Sequence, residues 1–204
     1  MRRLVLALAL ALATFAVGGL ASTQGTETTQ QKATDQQTAE QIIAGWKAKP
    51  QEVARKMIAK YGQPNEATAN RLIWHNAGPW KRTELVNEEI PHRFPKPHND
   101  MLYQAISYRV PPDKFDELAA YDGSVIVERT KGELAARCDM EEANFLALNL
   151  ANDIVTGKKG VEAARKFYAE AMREMKHPEY KQGFLFQVAR TDQGDPDKEV
   201  MANR

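Results

Sequence analysis

Residues 124–155 read SVIVERTKGELAARCDMEEANFLALNLANDIV and carry the strongest structural pattern in the chain. The first half has two short runs of β-forming residues on either side of Lys131-Gly132, which predicts a hairpin. The second half, Met140–Val155, has apolar residues around more than half of a helical circumference, which indicates a helix at the centre of the core. Asp139 is predicted to cap it. A hairpin followed by a buried helix is typical of an α+β domain.

Further helices and strands are predicted on both sides of this stretch. Two amphipathic helices are predicted between Thr38 and Tyr61, and another follows Gly160. Ile90–His98 contains three prolines and is predicted to be an extended loop outside the sheet. The remaining predicted elements are strands at 71–75, 80–86 and 101–110, a short helix before Gly123 and an edge strand at 184–188. The sum is α+β, with an antiparallel sheet of about five strands and amphipathic helices packed on one side.

The chain divides by composition into four parts. Residues 1–21, MRRLVLALALALATFAVGGLA, have the charged, apolar and small-residue regions of a signal peptide, with an uncleaved anchor as the alternative. Residues 22–37 hold no large apolar side chain and are predicted to be a disordered linker. A single domain is predicted over 38–189 and a disordered tail over 190–204. We therefore expect a periplasmic or secreted protein with no stable membrane span after cleavage.

Charge and cysteine content exclude several classes of protein. The chain has 28 basic and 27 acidic residues, and cleavage after Ala21 removes only Arg2 and Arg3, which leaves 26 basic and 27 acidic residues. This balance argues against nucleic-acid binding. A single cysteine excludes an intrachain disulfide and a cysteine-rich metal site. The motifs of serine hydrolases, phosphate-binding loops, zinc peptidases and c-type haem sites do not occur.

Three stretches carry a resemblance to known proteins: RLIWHNAGPWKRT (71–83), SVIVERTKGELAARCD (124–139) and NFLALNLANDIVTGKKGVEAAR (144–165). Together they resemble an uncharacterised family of exported bacterial proteins, and the resemblance implies export but no activity. Tyr61-Gly62-Gln63-Pro64 with Leu72-Ile73-Trp74 also resembles the helix-to-hairpin entry of SmpA/OmlA-type envelope lipoproteins. This chain lacks their lipid-bearing cysteine, so no functional residue is carried over.

Cys138 is the one candidate nucleophile. A thiol just before a predicted helix start is expected in positive dipole potential, which favours the thiolate. The alternative is a small buried side chain on the inner face of its strand.

The segment Pro91–Asp100 holds candidate metal ligands. His92, His98 and Asp100 could bind zinc or copper, both of which a periplasmic setting supplies. Arg93 and Lys96 lie between them in sequence and would repel a cation. The alternative is an exposed proline-rich loop with incidental histidines.

Aromatic side chains are the third candidate. Trp74, Trp80, Phe94 and Tyr103 could line a pocket for a ligand or a protein partner, and the alternative is that they belong to the core.

We expect a non-enzymatic exported binding or assembly module for a cell-envelope protein or a small ligand, with no cofactor. The alternative function is a cysteine- or metal-dependent hydrolase that uses Cys138 or His92/His98.

Overall fold

The computed structural model of the chain describes residues 38–174, 176–189 and 194–197. The predicted signal peptide (1–21) and linker (22–37) lie outside these residues, as does most of the predicted tail (190–204). None of the helices in the described ranges combines the length and the apolar character needed to cross a bilayer.

Six strands form one antiparallel sheet in the order β1-β2-β3-β4-β6-β5, so the predicted α+β class is confirmed with one strand more than expected. The strands are β1 Glu66–Thr68, β2 Arg71–His75, β3 Arg82–His92, β4 His98–Ser107, β5 Val125–Glu128 and β6 Glu133–Cys138. The helices are α1 Ala39–Ile43, α2 Ala48–Tyr61, α3 Phe115–Tyr121, α4 Glu141–Val155, α5 Val161–Arg173 and α6 Glu179–Gln182.

The helices cover one face of the sheet. Alternate strand residues point toward them, since Leu72 pairs with Leu85, Leu85 with Leu102, and Leu102 with Cys138. α4 is buried along almost its whole length and lies at the centre of the larger core cluster. A smaller cluster lies between α2 and strands β2 to β4. The opposite face carries polar residues, with Arg82, Tyr103 and Arg137 among those around a cavity of about 380 Å³.

The prediction of a loop outside the sheet over Ile90–His98 was wrong in part. β3 continues through Pro91 to His92, and β4 begins at His98, so only residues 93–97 connect the strands. β2 pairs with β3 only as far as Val86, and beyond it β3 pairs with β4 alone among the described strands. Proline is tolerated there because a strand paired on one side leaves backbone N–H groups free.

Two local predictions at α4 and after α6 were also wrong. Asp139 does not cap α4, because the N-cap residue is Met140 and the Asp139 carboxylate lies 3.6 Å from Lys49 Nζ instead. The segment 184–188 is not an edge strand. The Asn149 side chain accepts from Leu185 N–H and donates to two nearby carbonyls, so this backbone bonds to α4 rather than to a strand. One isolated bridge joins Ser107 to Ala189.

Candidate metal centre

Four strands bring polar and titratable side chains together at one end of the sheet. Neighbouring antiparallel strands run in opposite directions, so the end of β3 lies beside the start of β4, and the end of β6 lies beside the starts of β4 and β5. The side chains collected there are His92, His98, Asp100, Asp122, Ser124 and Cys138. The register of the paired strands, rather than the 91–98 segment alone, therefore brings these side chains close together.

His92, His98 and Asp100 form the centre of this group, which we call the His-His-Asp cluster. His92 and His98 are directly opposite each other across β3 and β4, with ring centroids 4.9 Å apart. Asp100 Oδ1 lies 3.1 Å from His98 Nε2, and Asp100 Oδ2 lies 3.4 Å from His92 Nδ1. One donor atom from each residue falls within 4.8 Å of the other two, which is the spacing of side chains that could hold a metal ion.

Each member of the His-His-Asp cluster has an outer partner that orients it. His98 Nδ1 lies 2.9 Å from the Lys96 carbonyl oxygen, so this nitrogen donates and Nε2 faces the cluster. His92 Nε2 lies 3.4 Å from Asp122 Oδ1, and His92 Nδ1 faces Asp100. The Ser124 hydroxyl donates to Asp100 Oδ2. These are the outer contacts that fix ring tautomers and carboxylate orientation around metal ions in proteins.

The free oxygen of Asp100 is the most unusual feature of the site. Asp100 is completely buried, and its Oδ1 accepts no hydrogen bond of acceptable geometry from the described residues, although His98 Nε2 is 3.1 Å away. A buried carboxylate oxygen without a donor is costly unless a cation or proton compensates it. Contacts with Asp100 and then with Cys138 raise the pKa of His98 to about 11, so the protonated imidazole is the positive group beside this carboxylate.

One positively charged side chain lies beside the cluster and would repel a bound metal ion. Arg137 Nε lies 3.9 Å from Asp100 Oδ2, and this nitrogen makes no hydrogen bond to the described residues. The side chains of Arg93 and Lys96, which the sequence suggested would repel an ion, are exposed, and Lys96 contributes its carbonyl instead. Arg137 is therefore the positive group that a bound ion would face most directly.

The Cys138 thiol lies beside the same cluster. Its Sγ is 3.5 Å from His98 Nε2 and 3.6 Å from Asp139 Oδ1, and the residue is 6% exposed. Burial raises the pKa of the thiol, although the contact with His98 opposes this. The direction is opposite to the thiolate expected from a helix start, because α4 begins three residues later.

The contacts of His98 do not match those of a catalytic triad. In such a triad the acid holds the imidazole nitrogen remote from the nucleophile. Here Asp100 and Cys138 both face Nε2, while Nδ1 is held by the Lys96 carbonyl. The arrangement favours shared coordination of a cation over nucleophilic attack by the thiol.

The predicted aromatic residues do not line a common pocket. Trp74 and Trp80 are each 1% exposed, and they belong to different core clusters. The Phe94 ring packs against Tyr121 and Tyr168 at the edge of the larger cluster. Tyr103 lies on the opposite face of the sheet, below the Arg82 guanidinium. The two indoles therefore lie in the core, as the alternative stated for them expects, and binding of a ligand or a partner through them stays a prediction.

Asp122 and Ser124 are site residues that the sequence analysis missed. They lie between α3 and β5, where the Asp122 carboxylate accepts from the Ser124 N–H at 2.8 Å. Burial raises the pKa of Asp122. The local signal was an Asp-Gly-Ser turn, which is common in loops without any function.

Comparison with known proteins adds no further identification: no protein family, curated protein or solved structure matches this chain. The resemblance to exported bacterial proteins stays an expectation from the sequence.

Proposed function

We propose that this protein is an exported, non-enzymatic binding module whose small ligand is a transition-metal ion held by the His-His-Asp cluster. The observation that carries the proposal is the orientation of three donor atoms toward one another, each by a separate outer partner. Export rests on the charged and apolar composition of residues 1–21. A cell-envelope protein that delivers or receives the ion is the partner class that fits this role.

The distances between donor atoms support an ion of the zinc class. A tetrahedral ion with bonds of about 2.0–2.1 Å to nitrogen and oxygen separates adjacent ligand atoms by roughly 3.3 Å. Asp100 Oδ1 lies 3.1 Å from His98 Nε2 and Asp100 Oδ2 lies 3.4 Å from His92 Nδ1, so each imidazole is about this far from one oxygen of the carboxylate. Two imidazoles favour zinc, copper or nickel, whereas magnesium and calcium prefer sites made of oxygen ligands.

The alternative is a cysteine-dependent hydrolase, which the 3.5 Å contact between Cys138 Sγ and His98 Nε2 favours. Two observations weigh against it. The thiol is buried with a raised pKa, and the carboxylate contacts the same imidazole nitrogen as the thiol. A metal-dependent hydrolase would use the same ligands as the proposed binding module, with an accessible coordination position for water.

The test is calorimetric titration of untagged, EDTA-treated protein with zinc, copper(II) and magnesium salts. We expect one equivalent of zinc or copper to bind and magnesium not to bind. His92→Ala and His98→Ala should each weaken zinc binding by at least about tenfold, because each removes a ligand.

His75→Ala is the matched control. His75 is half-exposed on β2 and contacts Glu66 rather than the cluster, so its loss should leave zinc binding unchanged. Absence of zinc and copper binding by the folded protein would overturn the proposal. Equal losses in His98→Ala and His75→Ala would show that the binding is not at this cluster.

A further inference from the structure

We propose that Cys138 is the fourth ligand of this ion, so that the site is a closed His-His-Asp-Cys centre for a zinc-class ion. This inference rests on the proposed function and goes beyond it, because it assigns the coordination sphere and the chemical class of metal. A site with four protein ligands holds its ion without a position for water, whereas a catalytic site leaves one position open. The role of Cys138 thus separates a binding module from a metal-dependent hydrolase.

Strand register places the thiol on the correct side of the sheet. Cys138 pairs with Leu102 across β6 and β4, and Asp100 precedes Leu102 by two residues. Residues two apart on a strand share a face, so Asp100 and Cys138 are diagonal neighbours on the helix-covered face. The thiol therefore approaches the His-His-Asp cluster from the strand that none of the other three ligands occupies.

The contact distance also fits coordination. With a zinc–sulfur bond of about 2.3 Å and a zinc–nitrogen bond of about 2.0–2.1 Å, a tetrahedral ion separates the two ligand atoms by roughly 3.6 Å. Cys138 Sγ and His98 Nε2 are 3.5 Å apart. The thiol contacts only this member of the cluster, so a shared ion requires the thiol to move toward the other ligands. Its other contact is with Asp139 Oδ1, at 3.6 Å. A thiol is a weak donor, so loss of this contact would cost little.

Charge neutrality is the strongest argument for the thiol. A divalent ion on two neutral imidazoles and the Asp100 carboxylate leaves one net positive charge in a buried site. The Arg137 guanidinium, whose Nε lies 3.9 Å from Asp100 Oδ2, adds another. Uncompensated buried charge is strongly unfavourable. A Cys138 thiolate brings the sum of ion, carboxylate and thiolate to zero. Asp122 then faces the outer nitrogen of His92 and opposes the Arg137 charge.

The binding step is balanced without any redox partner. The ion forms bonds to Sγ and to His98 Nε2, the S–H bond and the Nε2–H bond of the protonated imidazole break, and both protons leave to solvent. The ion and the sulfur keep their oxidation states. The four donors are two imidazoles, a carboxylate and a thiolate, a set that suits zinc or cobalt(II) and disfavours magnesium, calcium and manganese.

The test uses cobalt(II), whose absorption reports both binding and thiolate ligation. Reduced, untagged protein is titrated with cobalt(II) as wild type, Cys138→Ser and Cys138→Ala, and folding is checked by circular dichroism. We expect visible d–d bands together with a near-ultraviolet sulfur-to-metal charge-transfer band in wild type. The charge-transfer band should disappear in both variants while d–d bands persist, and zinc affinity should fall at least tenfold.

The outcomes separate the two proposals. Visible d–d bands in wild type without a charge-transfer band would overturn the role of Cys138 and leave the His-His-Asp site in place. No d–d bands and no heat of zinc binding would overturn both. Because the wild-type spectrum alone decides between these outcomes, the test does not depend on the variants being stable.

Discussion

The indole N–H of Trp80 donates to Glu141 Oε1 at 2.6 Å, inside the core. Trp80 follows the turn after β2, and Glu141 is the first residue of α4, so this bond joins the sheet to the central helix. Lys60 and Tyr61 at the end of α2 donate to the same carboxylate. The hydrogen bonds explain why an acidic residue can be buried at a helix start. They also show that Trp80 has a structural partner.

Trp80→Phe should destabilise the fold more than Trp74→Phe. Both indoles are 1% exposed, but Trp80 donates to a carboxylate and Trp74 donates to the Gly62 carbonyl at 2.9 Å. Hydrogen bonds to charged groups contribute about 1.5–3 kcal/mol, and neutral ones about 0.5–1.5 kcal/mol. We therefore expect a difference of about 1 kcal/mol in the free energy of unfolding, measured by urea denaturation with circular dichroism. Equal costs would contradict the importance of the carboxylate.

Acid should weaken the fold partly through Glu133. This residue is 2% exposed, with Lys81 Nζ at 2.9 Å and Arg82 Nη2 at 3.2 Å. Burial acts to raise the pKa of Glu133, but the hydrogen bonds from Lys81 and Arg82 outweigh it, and the pKa is lowered. A lowered folded-state pKa stabilises the protein above the ordinary glutamate value of about 4.3 and loses that contribution as pH falls through the folded value.

The variant Glu133→Gln isolates this contribution. It should be less stable than wild type at pH 7, and the difference should shrink as pH falls from 5 toward 3, as followed by urea denaturation at each pH. Glu88→Gln is the control, because Glu88 is exposed on β3 and lies outside both core clusters. A difference between Glu133→Gln and wild type that stays constant over this range would contradict the assignment.

Local sequence pattern predicted the elements whose periodicity is set by burial on one face. Lys131-Gly132 sits between β5 and β6, and the apolar run after Met140 forms α4, as expected. Pro91 misled the prediction because its cost depends on whether a neighbouring strand needs its missing N–H, which only the tertiary pairing decides. The sequence left both a ligand pocket and the core open for Trp74 and Trp80, because an aromatic pattern does not reveal which face another element covers.

The candidate site was accessible from sequence only in part. His92, His98 and Asp100 are close in the chain, so their side chains could be proposed together. Cys138 is 40 residues from His98 and reaches it through the register of β4 and β6. Asp122 and Ser124 arrive through the pairing of β5 with β6, which leaves no local signal. The positions of these three residues depend on pairing between strands that are far apart in the chain, and the local sequence does not show that pairing.

Removal of an outer partner should weaken the metal site without abolishing it. Ser124→Ala removes the hydroxyl that donates to Asp100 Oδ2, and Asp122→Asn removes the carboxylate that faces His92. Such outer contacts contribute about 10–100-fold to metal affinity. We expect losses in this range by calorimetric zinc titration. Ser107→Ala is the matched control, because Ser107 is a buried serine at the far end of β4. Unchanged zinc affinity in both site variants would contradict the assigned outer partners.

The reactivity of the Cys138 thiol should be low in the folded protein and lower still with zinc. Cys138 is 6% exposed, so a chromogenic disulfide reagent must wait for a local opening of the structure. The chain has one cysteine, so unfolding in urea should release one equivalent of fast-reacting thiol. Saturating zinc should slow the native reaction further, and EDTA should restore the rate, because a coordinated thiolate is withheld from the reagent. His75→Ala should behave like wild type, whereas His98→Ala should lose the zinc protection. A native thiol that reacts as fast as the unfolded one would instead favour the cysteine-dependent hydrolase, since a nucleophile must be accessible to its substrate.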